Sequence, residues 1–243
     1  MGKIFDTHAV YWPTMLMSAG IELPKSIFAH GWWLMNDSKM SKSIGNVVDP
    51  IDLIDEFGVD PVRYYLMREM VLGKDASFTI ELFKGRYNSD LANDFGNLLS
   101  RVTTLIIKNF NRKVPNPDKL YAEENELKNE SSILIESVNV LMMEMKINEA
   151  IELIIKYISK TNKYMEKKAP WKLVKEDIKT AGKVIYTVAE SLRICAVLLS
   201  PVMPNRTKIL LQIFGVTEKD ENWGGLIPGT IINDHKPLFP RIK

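Results

Sequence analysis

One cysteine, Cys195, is the only thiol in the 243 residues, so no intrachain disulfide can form and no cysteine cluster is available for zinc. Its place inside the apolar run Ile194 to Leu199 suits a small buried side chain in a reducing compartment. An excess of one charge is also missing. Lys and Arg number 32 against 30 Asp and Glu, a net charge of +2, so any nucleic-acid contact must come from local placement of cations. No apolar run approaches the roughly 20 residues that span a bilayer. The first residues lack the charged-then-apolar layout of a signal peptide, and neither internal repeats nor low-complexity tracts occur. These absences point to a cytoplasmic globular protein with no membrane partner. Its 46% hydrophobic content can bury the core of one large domain or two ordinary ones.

Two textures divide the chain. Residues 1–77 mix short apolar stretches with turn residues, which reads as α/β structure: a helix over His8 to Ala19, a strand over Ile27 to Met35, then a polar loop. Asp49-Pro50 and Asp60-Pro61 each place a capping acid before a proline, the arrangement of a helix start. Residues 78–243 carry long helical patterns over Ile80 to Asn111, Asn125 to Met145, Ile147 to Lys168 and Ile178 to Leu199. Val114-Pro115-Asn116-Pro117 and Ala169-Pro170 interrupt them, because proline cannot sit inside a helix. The expected fold is mainly α, a partial α/β nucleotide-fold segment followed by an antiparallel helical bundle. A last helix runs from Pro204 to about Phe214, and a Gly- and Pro-containing tail folds back over the bundle.

Lys39 to Asn46 is a polar stretch with two lysines, two serines and a glycine directly after an aromatic apolar segment. Mobile ammonium groups and hydroxyls there suit phosphate, and a closing loop could follow charge onto a pyrophosphate leaving group. For an arbitrary Lys-x-x-Lys, a solvated turn would be the better account. Lys39-Met40-Ser41-Lys42-Ser43, however, resembles the second ATP signature (KMSKS) of class I aminoacyl-tRNA synthetases, as do Ala29-His30-Gly31-Trp32 and Ser43-Ile44-Gly45-Asn46-Val47-Val48-Asp49-Pro50. The resemblance implies ATP binding by Lys39, Ser41, Lys42 and His30, with Lys42 the main catalytic stabiliser of departing pyrophosphate, Lys39 supporting it, and Mg2+ accompanying ATP. His30 is equally well read as a strand histidine satisfied by a neighbouring carbonyl.

Ile4, His8 and Trp12 recur every fourth position, so a helix would place them on one face. An indole and an imidazole can wall a pocket for a thioether, although an aromatic at helical spacing is more often core. His8-Ala9-Val10-Tyr11-Trp12-Pro13 is similar to the methionine-pocket segment of methionyl-tRNA synthetases, which implies methionine binding by Ile4, His8 and Trp12.

Asn97 and Arg101 stand one helical turn apart and can offer amide and guanidinium groups to splayed RNA bases; spacing alone would favour a solvated face. Trp171, after Ala169-Pro170, is either a stacking platform or a packing plug at a bundle end, and Trp223 reads as packing. Asn88 to Arg101 and Ala169-Pro170-Trp171 resemble the anticodon-binding elements of methionyl-tRNA synthetases, which implies that Asn97, Arg101 and Trp171 read the anticodon of tRNA(Met).

The first ATP signature of the class, His-x-Gly-His, does not occur, nor does a Cys-rich metal-binding insertion. The implied chain is part of a methionine-tRNA ligase, a binder of ATP, methionine and tRNA(Met) that is inactive without an amino-terminal catalytic half supplied as a fragment or subunit. The alternative is a stand-alone helical tRNA-binding module without catalysis.

Overall fold

The protein's structure, a computed structural model, describes residues 6–35, 38–40, 47–217 and 220–242. A π-helical turn, Thr7–Tyr11, runs into helix α1 (Trp12–Ser18), and neither buries a side chain. Strand β1 (Trp33–Met35) pairs antiparallel with β2 (Ser38–Lys39) and parallel with β3 (Ala76–Ser77), giving the order β2-β1-β3. The strand expected from Ile27 is therefore shortened to its last three residues. Just before β1 the backbone comes close to the segment leading into β3: a Cβ on Gly31 would lie 2.0 Å from the Lys74 carbonyl oxygen. The Trp32 amide donates to the Asp75 carboxylate at 2.7 Å, where a ladder bond would otherwise begin.

Asp49 caps α2 (Pro50–Phe57) as its sequence suggests, accepting from the Ile51 amide at 2.8 Å. Asp60 does not cap its own helix, α3 (Val59–Glu69). Its buried carboxylate instead accepts from the Arg206 amide and the Asn205 side chain, at the start of a helix far along the chain. A capping acid has been used for a tertiary clamp, since helix-start amides need an acceptor whatever its sequence position.

The long run from Ile80 is continuous but not uniform. Helix α4 (Ile80–Arg86), begun by the Thr79 cap, leads into a π-helical stretch, Tyr87–Gly96, and then α5 (Asn97–Asn109). The remaining bundle comprises α6 (Ala122–Met143), α7 (Ile147–Lys168), α8 (Pro170–Glu176), α9 (Ile178–Leu199) and α10 (Pro204–Ile213). Helix α9 is the axis: every residue from Ala181 to Leu199 is buried, as a helix enclosed on all sides requires.

The main core draws on α5, α6, α7, α9 and α10, with Leu238 and Phe239 of the tail packed into it. A smaller cluster, Leu53, Val62, Tyr65, Phe78 and Phe83, supports the sheet. Ile242 packs against both clusters, and its backbone bonds the Asn88 side-chain amide at 2.8 and 2.9 Å. The tail thus returns over the bundle as expected. Trp223 is partly buried against the main core.

Candidate nucleic-acid interface and nucleotide loop

Helix α7 ends where Ala169 adopts a left-handed conformation, φ 46°, and Pro170 starts α8 in a new direction. A non-glycine residue there costs about 1–2 kcal/mol, and the reversal leaves Trp171 at the end of the bundle with 38% of its surface exposed. The guanidinium carbon of Arg101, projecting from α5, lies 5.0 Å from the Trp171 ring centroid. Arg101 also meets Glu166 at 3.4 Å, a solvent-exposed pair that screens rather than fixes it. Beside these groups opens a cavity of about 340 Å³, lined by Ser100, Arg101, Thr104, Leu105, Met165 and Trp171. Met165 forms a fully buried floor.

Asn97 is exposed on the first turn of α5 and does not line this cavity. The structure thus brings Arg101 and Trp171 together, with Asn97 one turn away on the same helix. Ser100, Thr104 and Met165 went unnoticed in the sequence, although Thr104 stands one turn beyond Arg101 on the same helix face and Ser100 lies one turn before Thr104. The π-helical stretch before α5 is locked to α7, where Ser159 donates to the Asp94 carboxylate at 2.6 Å and Asn162 to the Asp94 carbonyl at 3.1 Å. Behind the cavity, burial and the neighbouring Glu124 carboxylate push the Tyr164 hydroxyl far up, and it donates to Glu124 at 2.6 Å. This keeps α6 and α7 in register below the interface.

At the other end of the chain, Lys39 is the last residue of β2, not part of a loop, and its Nζ sits 3.6 Å over the Trp32 ring. His30 Nδ1 lies 2.7 Å from the Gly31 carbonyl, the neighbouring-carbonyl arrangement. Ser41 and Lys42 lie outside the described residues, as does Ile4. His8 and Trp12 are both exposed, on a segment whose Val10, Tyr11, Met15, Met17 and Phe28 are exposed too. Among the described residues, no group of three or more His, Cys, Asp or Glu side chains could hold a metal, and no helix is long and apolar enough to cross a membrane.

Comparison with known proteins bears on both ends. Residues 1–103 match the family model of class I tRNA synthetases (M), and residues 114–231 match that of the anticodon binding domain of methionyl tRNA ligase. The chain is 43% identical over 247 residues to a methionine–tRNA ligase of Caldanaerobacter subterraneus subsp. tengcongensis, covering 99% of this chain and 39% of the relative. It belongs to the methionyl-tRNA synthetase family. The Bacillus subtilis methionine–tRNA ligase is 41% identical over 250 residues, with 99% of this chain and 38% of that protein covered. Among solved structures, the Mycobacterium tuberculosis methionyl-tRNA synthetase in complex with methionyl-adenylate superposes with a TM-score of 0.93 at 38% identity, covering 98% of this chain and 48% of that one. The chain therefore spans about two fifths of the length of these curated synthetases.

Proposed function

We propose that this chain is the portion of a methionine–tRNA ligase that holds the anticodon of tRNA(Met) and contributes one wall to methionine activation by ATP. The observation that carries the reading is the exposed Trp171 ring under the Arg101 guanidinium, beside a cavity with an apolar floor. An unpaired base can stack on the indole while the cation meets base edge or phosphate, and Asn97 adds an amide on the same helix. Domain limits of 1–77 for the catalytic portion and 78–243 for the anticodon-binding bundle go with this reading.

In the catalytic role, Lys42 stabilises the charge that builds on pyrophosphate as the methionine carboxylate attacks the α-phosphate, with Lys39, Ser41 and His30 around the nucleotide. Lys39 would exchange its position over Trp32 for a phosphate oxygen. Mg2+ belongs to the ATP phosphates in such chemistry, because it keeps few protein ligands, and the described residues supply no site of their own for it. Ile4, His8 and Trp12 would face the methionine side chain. The exposed apolar surface from Val10 to Phe28 suits contact with the rest of a nucleotide fold, which completes the attack geometry.

The test combines this chain with the amino-terminal catalytic portion of a family member and follows methionine-dependent ATP–pyrophosphate exchange. Exchange that appears on mixing and disappears with Lys42→Ala supports the reading. Exchange indifferent to Lys42 overturns the catalytic role. A chain that binds tRNA(Met) and contributes nothing to exchange would leave the stand-alone binding module.

A further inference from the structure

Two hydroxyls in the Trp171 cavity are placed unlike the third on their helix. Thr103, next to Thr104 and three residues after Ser100, is buried and turns its Oγ1 back onto its own helix, donating to the Leu99 carbonyl at 2.8 Å. That is the usual fate of a helical threonine hydroxyl. Ser100 and Thr104 line the cavity instead, and neither side-chain oxygen has a hydrogen-bond partner among the described residues. They are spaced i, i+4 on α5, so both hydroxyls emerge on one face of the helix, beside Leu105 of the same helix and with Met165 of α7 also lining the cavity. A flat ring resting on Trp171 would present its edge to this pair.

We propose that the Ser100 and Thr104 hydroxyls hydrogen-bond the edge of an unpaired RNA base stacked on Trp171, and so determine which base the cavity accepts. The inference rests on the reading of this bundle as an anticodon binder. Hydroxyls can donate and accept, so each completes whichever polar atom the fitting base turns inward, while a base of the wrong pattern leaves one of them unpaired in a site closed by the ring. Stacking on Trp171 is attraction that any base shares; the hydroxyls supply a difference between bases.

The experiment measures binding of the 243-residue chain to a stem-loop RNA carrying the methionine anticodon and to three stem-loops, each with one anticodon base changed. Ser100→Ala with Thr104→Val should weaken the methionine stem-loop by about tenfold, leave the stem-loop altered at the position it reads almost unchanged, and so collapse their ratio. Thr104→Ser, which keeps the hydroxyl, should preserve the ratio. An unchanged ratio in the double variant overturns the inference, as does equal weakening of all four RNAs, the mark of a structural role. Failure of the wild-type chain to distinguish any stem-loop would overturn the anticodon reading itself.

Discussion

The guanidinium of Arg101 lies 5.0 Å from the Trp171 ring centroid, although α6 and α7 separate the two residues in the chain. The contact holds the indole face partly covered, so an incoming base must share or displace the cation. Trp171→Ala should cost about 1–3 kcal/mol of affinity for the methionine stem-loop, while Trp171→Phe, which keeps a ring, should lose less. Anisotropy titration at fixed salt checks this. Equal affinity for wild type and Trp171→Ala would mean that the ring merely plugs the bundle end.

Much of this geometry was legible beforehand, for reasons that differ by residue. Helices α7 and α9 carry uninterrupted 3.6-residue periodicity between hard stops, and they lie at the expected residues, Ile147–Lys168 and Ile178–Leu199. The π-helical stretch inside Ile80 to Asn109 was not legible, because it keeps an apolar face and differs only in hydrogen-bond register. Asp60 misled because a local capping signature cannot reveal that its acceptors serve α10. Ser100 lies inside the Asn88 to Arg101 resemblance with no role attached to it, and Thr104 lies beyond it; the fold makes both neighbours of Trp171.

Glu190 and Arg193 form a fully buried ion pair at 2.8 Å on the axial helix, and they clasp the segment that precedes the tail. Glu190 accepts from the amides of Gly224, Gly225 and Leu226 at 2.7, 3.1 and 2.9 Å, and Arg193 donates to the carbonyls of Asp220 and Asn222. Glu190→Ala would strand a buried guanidinium and three amides, so a loss of about 3–5 kcal/mol is expected in urea unfolding. Glu190→Leu with Arg193→Leu removes both charges but still orphans the amides, and should recover only part of the loss. A shift below about 1 kcal/mol for Glu190→Ala would mean that water replaces the clasp.

Gly31 offers a test confined to the small sheet. Its missing Cβ leaves room for the Lys74 backbone, which a methyl group would approach to 2.0 Å. Gly31→Ala should push β1 from β3, disturb the Ala76 amide bond to the Trp32 carbonyl of 2.9 Å, and raise hydrogen exchange at Ala76 and Phe78. Protection along α9 should stay as it is, because the smaller cluster supports the sheet while α9 belongs to the main core. Equal loss of protection in both places would show that the sheet and the bundle unfold as one unit.

Alkaline pH should weaken the fold through its buried tyrosines. Burial pushes the Tyr65 and Tyr186 hydroxyls up to about 12 from an ordinary value of 10, and it raises Tyr157 and Tyr164 in the same direction. Between pH 10 and 12 the unfolded chain releases protons that the folded chain retains, so the native state binds more protons and stability falls as pH rises. Below pH 10 both states are protonated and the contribution is fully present. The urea midpoint should therefore hold steady from pH 8 towards 10 and then drop. Tyr186→Phe separates the effects: it forfeits the 3.0 Å bond to the Leu226 carbonyl and so lowers the midpoint at pH 8, yet it has no proton to lose and should show the shallower decline above pH 10. Parallel declines for wild type and Tyr186→Phe would assign the alkaline loss to other groups.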